Sequence, residues 1–318
     1  MNMTHSKPSY VSQVRVLYFG MTGILSRTPL VRLLAEGVNV VGIVLPMSAL
    51  PPYLLEDDGR PCTNPAIPQS SQPDSAIPLT PPDVLQMAAQ YRIPVTAVRQ
   101  INHPQFIQQV AQMNSDLILV SCFPYKFPGS LLNLPRHGCW NLHPSLLPRF
   151  RGPAPLFWTF WAGQNNTGVT LHRMDEGLDT GDILEQAPFH LADGISGLAA
   201  EQQLAELGSQ LILQALADLT DDNLFSRPQP ANGSYYSLPR SDDFVLNTNW
   251  TARRAFNFMR GTAVWGQPYA VEIGGEKIWL DTAVSFQPQQ TQDELVIRDS
   301  MAVSIQFNPG VLRAKEIR

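Results

Sequence analysis

Residues 141–155 read Asn-Leu-His-Pro-Ser-Leu-Leu-Pro-Arg-Phe-Arg-Gly-Pro-Ala-Pro, and residues 168–184 read Gly-Val-Thr-Leu-His-Arg-Met-Asp-Glu-Gly-Leu-Asp-Thr-Gly-Asp-Ile-Leu. Between them they offer an amide at Asn141, an imidazole at His143 and a carboxylate at Asp179. Moving an acyl group between nitrogens needs a proton shuttle, a polariser for the carbonyl oxygen and a group that fixes the shuttle's charge. Taken singly, His143 reads as a satisfied histidine near a strand end and Asp179 as a turn carboxylate. The joint pattern carries the functional reading, because two segments dense in Gly, Pro and polar residues interrupt a regular α/β alternation where sites form.

Other chemistries fit less well. Ser145 lies two residues from His143 but has no G-x-S-x-G elbow around it, so a serine hydrolase is not expected. Cys139 falls on an apolar strand and reads as a small buried residue rather than a nucleophile. The six histidines show no H-E-x-x-H or similar spacing, which argues against a catalytic metal. Gly20-x-x-Gly23 lacks the G-x-G-x-x-G spacing, and no acidic residue ends the second strand, so a plain βα turn is the reading there.

The elements that must hold the trio follow from periodicity. Val14 to Phe19 is a short apolar strand, and Leu25 to Glu36 is a helix that Gly37 closes. Val38 to Leu45 is a second buried strand, so the chain opens as a βαβ unit. Helix and strand signals then alternate: Pro82 to Tyr91, Pro94 to Ala97, Pro104 to Met113 and Asp116 to Ser121. That alternation predicts an α/β fold with an open, doubly wound, mostly parallel sheet of Rossmann-like type. Gly138 to Leu142 is a further short strand that delivers Asn141 and His143, followed by a helix over Pro153 to Ala162. Val169 to His172 and Ile183 to His190 have strand character with the Asp179 loop between them, and Leu198 to Leu219 is a long amphipathic helix.

The expected partition is a disordered N-terminus over residues 1–13, a catalytic domain over 14–220, a linker over 221–243 and a small domain over 244–318. The catalytic domain carries a surface excursion at 46–82, where ten prolines exclude helix or central strand. In the last domain Trp250 to Arg260 reads as a helix. Gln267 to Ile273, Lys277 to Ala283 and Leu295 to Ile297 read as short strands, and a β-rich, OB-like barrel is expected. The tail is short after Ile278, which puts a complete barrel in doubt.

The two motif segments closely resemble the formyltransferases that use 10-formyltetrahydrofolate: Asn-x-His-Pro-Ser-Leu-Leu-Pro, Arg-Gly-x-x-Pro, Gly-Val-Thr and Asp-x-Gly-Leu-Asp-Thr-Gly-Asp-Ile all match. The resemblance spans about residues 14 to 219, and the linker and β-rich tail make the outline similar to that of methionyl-tRNA formyltransferases. It implies catalytic roles for Asn141, His143 and Asp179, and a folate-binding segment at Ser145, Leu146, Leu147 and Pro148. By the same analogy Phe123 and Tyr125 line the pterin pocket. The alternative for those two rings is plain packing on the sheet. The implied donor is 10-formyltetrahydrofolate, with no metal.

On that resemblance, an acceptor amine attacks the formyl carbon and negative charge develops on its oxygen. Asn141 and a cationic His143 stabilise that charge, each donor contributing about 3 kcal/mol when preorganised, while Asp179 orients His143 and favours its charged form.

The acceptor is open between charged initiator tRNA and a small amine such as an amino sugar nucleotide. A 10-formyltetrahydrofolate hydrolase and a non-catalytic folate binder stand further off. Methionyl-tRNA formyltransferases carry a basic loop after the second strand, where this chain instead has Glu56, Asp57, Asp58 and Asp74 against Arg60. That segment is a poor clamp for a phosphate backbone. From Ser234 onward nine basic residues balance nine acidic ones, so a tRNA face would need clustering, as at Arg253, Arg254 and Arg260. The net charge of −5 advertises no global basic field. Three cysteines without C-x-x-C spacing and a polar N-terminus without an apolar core lead us to expect a soluble cytoplasmic protein with no membrane partner.

Overall fold

The computed structural model describes residues 13–49 and 83–317. The expectations for the first twelve residues and for 50–82 of the 46–82 excursion lie outside that range; within it, Pro46 instead ends a sheet strand and Met47–Ala49 form one 3-10 turn.

Along the chain run β1 (Arg15–Gly20), α1 (Ile24–Ala35), β2 (Asn39–Pro46), α2 (Val84–Gln90), β3 (Val95–Val98), α3 (Pro104–Gln112), β4 (Leu117–Ser121), α4 (Gly129–Leu132) and β5 (Cys139–His143). Then come α5 (Pro155–Trp161), β6 (Asn166–Arg173), β7 (Ile183–His190) and α6 (Gly197–Thr220). The seven strands form one sheet in the order β3-β2-β1-β4-β5-β6-β7. The pairs among β3, β2, β1, β4 and β5 are parallel, and β6 runs antiparallel to β5. The doubly wound, mostly parallel sheet expected from the alternation is therefore the observed one.

β1 and β4 are buried runs of Val, Leu, Ile, Tyr and Phe because helices cover both faces of a parallel sheet. Leu17, Phe19, Val44, Ile118 and Val120 pack with Phe106 and Val110 of α3 in one core cluster. α1 ends in a Schellman turn: Gly37 sits at φ 76, with Val38 N bonded to Leu33 O and Gly37 N to Leu34 O. Pro29 inside α1 has no N–H for the carbonyl of Leu25. The Ser121 hydroxyl donates to that carbonyl at 2.5 Å, so the proline ties the helix to the end of β4.

The chain forms two compact units. One gathers the described residues up to His143 with Val169–Ala187 and Ala205–Ala231; the other holds Pro144–Gly168, Pro188–Leu204 and the chain from Asn232 onward.

The second unit contains β8 (Val245–Leu246), α7 (Ala252–Thr262), β9 (Tyr269–Ile273), β10 (Glu276–Gln287), β11 (Val296–Arg298), β12 (Val303–Gln306) and β13 (Val311–Glu316). These strands form a sheet in the order β11-β12-β13-β10-β9-β8, antiparallel except for the parallel β8–β9 pair. α7 turns Ala252, Ala255, Phe258, Met259 and Thr262 inward, the spacing of one helix face. Phe258 meets Phe157 of α5 at a ring separation of 5.5 Å and Tyr269 of β9 at 5.7 Å. The tail is richer in strands than the sequence reading expected: β12 and β13 were not foreseen, and β10 runs past Ala283.

Candidate active site

β5 ends at His143, so Cys139, Asn141 and His143 share one face of the strand. β6 lies antiparallel to it with Asn141 opposite His172 and His143 opposite Thr170. The chain then turns through 175–182 and brings Asp179 back over this edge. That loop is tied at several points. Asp175 Oδ1 accepts from Gly177 N at 3.0 Å and from the Thr180 hydroxyl at 2.7 Å. Gln229 Nε2 donates to the carbonyls of Asp179, 2.9 Å, and Gly181, 2.7 Å. Gly181 passes so near the strand that a Cβ there would stand 1.9 Å from the carbonyl oxygen of Arg173. Asp179 itself adopts a left-handed backbone, φ 56.

The Asp179 carboxylate faces three side chains. Asn141 Nδ2 donates to Oδ1 at 3.2 Å. His143 Nδ1 stands 3.7 Å from Oδ2 and His172 Nε2 stands 3.6 Å from Oδ1. The Asn141 amide nitrogen also lies 3.2 Å from His172 Nε2. Both imidazoles are buried, Asp179 is mostly so, and Asn141 is half-buried. Charge interactions gain strength where water is excluded, so the cluster can hold a carboxylate, orient an imidazole and present an amide N–H.

Asn141, His143 and Asp179, which the sequence singled out together, thus meet in one unit. The 145–148 segment follows directly in the chain and falls in the other. There Ser145 is fully buried and its hydroxyl donates to Arg149 O at 2.7 Å; Leu147 is buried, Leu146 is half-buried, and Pro148 O accepts from Ser234 N at 3.0 Å. Phe123 and Tyr125 are half-buried against the core cluster, with ring contacts of 5.2 Å from Phe123 to Phe19 and 5.5 Å between the two. Cys139 is buried and its thiol is pushed up to about 12 by that burial, which removes it as a nucleophile.

His172 and Gln229 were not foreseen from sequence. The pairing of β6 with β5 was the signal for His172, and nothing local marks Gln229. Among the described residues no cluster of three His, Cys, Asp or Glu is placed to hold a metal ion, and no helix is long and apolar enough to cross a membrane.

An open α/β sheet thus gathers an amide, an imidazole and a carboxylate at the C-terminal end of β5. The profile of the formyl transferase family matches residues 70–216. A methionyl-tRNA formyltransferase of Geobacter metallireducens is 31% identical over 76% of this chain and 77% of its own length. One from Syntrophomonas wolfei is 33% identical over 78% and 81%. One from Thermodesulfovibrio yellowstonii is 33% identical over 60% of this chain, and the chain spans 62% of that relative's length. Among solved structures, an N-formyltransferase of Helicobacter canadensis in complex with folinic acid and dTDP-3-aminofucose shares the fold. Its TM-score is 0.62 at 16% identity, covering 96% of this chain and all of that one. The chain belongs to the formyltransferase family, whose members use 10-formyltetrahydrofolate and include the methionyl-tRNA formyltransferases.

Proposed function

We propose that this chain is an N-formyltransferase that moves a formyl group from 10-formyltetrahydrofolate to the amine of methionyl-tRNA, with Asn141, His143 and Asp179 as its catalytic residues. The observation that carries the reading is the convergence of those three side chains at the C-terminal end of β5, inside the segment that matches the formyl transferase profile.

The folate supplies the formyl carbon and the departing nitrogen. As the amine attacks, charge gathers on the formyl oxygen. Asn141 offers it an amide N–H and His143 an imidazolium N–H, each such donor contributing about 3 kcal/mol when preorganised. Asp179, 3.7 Å from His143 Nδ1, balances the imidazolium charge. The proton lost by the amine passes to the departing nitrogen, with Asp179 placed to relay it through water. Ser145, Leu146, Leu147 and Pro148, with Phe123 and Tyr125, are assigned to the folate. The apolar faces of the two rings suit a flat pterin. A cytoplasmic location suits these substrates.

The relatives, which are methionyl-tRNA formyltransferases, support this acceptor. One observation favours a small amine such as an amino sugar nucleotide instead. Arg253, Arg254 and Arg260, the clustered cations that a phosphate backbone would want, are engaged within their own unit. Arg253 Nε donates to Asp193 at 2.7 Å and Arg260 Nε to Gly194 O at 3.3 Å. Arg254 lies 3.8 Å over the Trp250 ring with its Nε on the Trp161 carbonyl.

Formyl transfer from 10-formyltetrahydrofolate to charged initiator tRNA and to amino sugar nucleotides, each over a salt series, separates the two. A tRNA acceptor predicts formyl-methionyl-tRNA as product and a KM that rises steeply with salt. Turnover of the amino sugar alone, insensitive to salt, contradicts the tRNA assignment.

A further inference from the structure

We propose that His172 is a positioning residue: it holds one hydrogen of the Asn141 amide so that the other is aimed for the formyl oxygen. The inference rests on the reading of Asn141 given above and adds a residue that neither the sequence motifs nor the relatives' names assign.

The tautomer of a neutral His172 follows from its backbone partner. Nδ1 lies 2.8 Å from the backbone oxygen of Arg173, and a carbonyl can only accept, so Nδ1 carries the proton. Two groups face Nε2, Asn141 Nδ2 at 3.2 Å and Asp179 Oδ1 at 3.6 Å; with the ring neutral Nε2 is a lone pair, and the amide is the donor it accepts from. The ring is 1% exposed, so water does not compete for either nitrogen.

The consequence falls on Asn141. Its Nδ2 has two hydrogens and two acceptors, His172 Nε2 and Asp179 Oδ1, both at 3.2 Å. Turned over, the amide would set its own oxygen against a lone pair and a carboxylate, so one orientation wins. The two acceptors differ in their commitments. Asp179 has a second partner in His143, 3.7 Å from its other oxygen, and engages it more strongly once that imidazole is cationic. His172 is tethered through Nδ1 to the backbone of β6 and keeps its hold. The hydrogen facing Asp179 is therefore the one released to the reacting oxygen, with the amide plane already fixed. Preorganisation of this kind is what separates a donor that stabilises a transition state from one that must first reorient.

The test uses His172→Phe, which keeps a ring and removes both nitrogens, and His172→Gln, which keeps an acceptor near the place of Nε2. In single-turnover formyl transfer His172→Phe is expected to lower the rate by roughly 10- to 100-fold, the scale of a small misplacement of a reacting group. Folate KM should stay within about twofold, and His172→Gln should recover a large part of the loss. In an Asn141→Ala background His172→Phe should add little, since both changes remove the same donor. Nitrogen-15 spectra of the full chain should show His172 protonated at Nδ1 alone, and His172→Phe should shift the Asn141 side-chain amide.

Equal loss from His172→Phe with and without Asn141, an unmoved Asn141 amide signal, or the opposite tautomer overturns the proposal. Asn141→Ala with near wild-type rate contradicts the catalytic reading instead, while the spectra still report on the His172 contact.

Discussion

Asn141, His143 and Asp179 depend on one another chemically: without the carboxylate, a cationic His143 in its buried place would lack its counter-charge 3.7 Å away. Asp179→Asn keeps the shape and deletes that charge, so its single-turnover rate should fall by about 10²-fold, with the melting temperature near wild type. A loss confined to folate KM would mark Asp179 as a binding group only. The trio was legible in the sequence because its residues stand in two segments whose Gly, Pro and polar density interrupts a regular α/β alternation. His172 was not, because a lone histidine on an apolar strand reads as core. Only the register that sets it opposite Asn141 reveals its role.

At the scale of elements, the 175–182 loop is the device that brings a distant carboxylate to the end of β5. Gly181→Ala would place a Cβ against the Arg173 carbonyl, 1.9 Å away as the backbone stands, so the loop must shift. Activity should drop by at least about tenfold, given how steeply rate depends on placement. An unchanged rate would show that the loop's path is not what positions Asp179. Gln229→Leu loses two hydrogen bonds to the same loop. It should cost about 1–3 kcal/mol in urea unfolding, with a lower formyl-transfer rate. Most helices and strands of the catalytic sheet were legible from apolar periodicity. β10 was read only as far as Ala283, because register shifts opposite β13 break its period-two pattern there, and it exposes Trp279 and Val284. Gln229 lies where composition indicated a linker; its contribution is a long side chain reaching across 48 residues, which no local pattern encodes.

For the molecule as a whole, the chain divides into two compact units, and Asn141, His143 and Asp179 all lie in the first. The partition at a 221–243 linker stays our proposal for the chain's domains. In the second unit burial alone would raise Asp193, but hydrogen bonds from Arg253 and Asn257 outweigh it and hold the carboxyl below its usual range. A depressed carboxylate adds stability above its unfolded value that is lost as pH falls through the folded one. Wild type should therefore lose more melting temperature than Asp193→Asn as pH drops below about 4; parallel curves would show that the contact contributes nothing. The most direct measurement of the central claim is single-turnover transfer of the formyl group from 10-formyltetrahydrofolate to charged initiator tRNA and to amino sugar nucleotides, by wild type and His143→Ala. The account predicts an N-formylated product from one of these amines, with transfer slowed by about 10²-fold or more in the variant. A His143→Ala enzyme that folds and keeps most of the wild-type rate would contradict it.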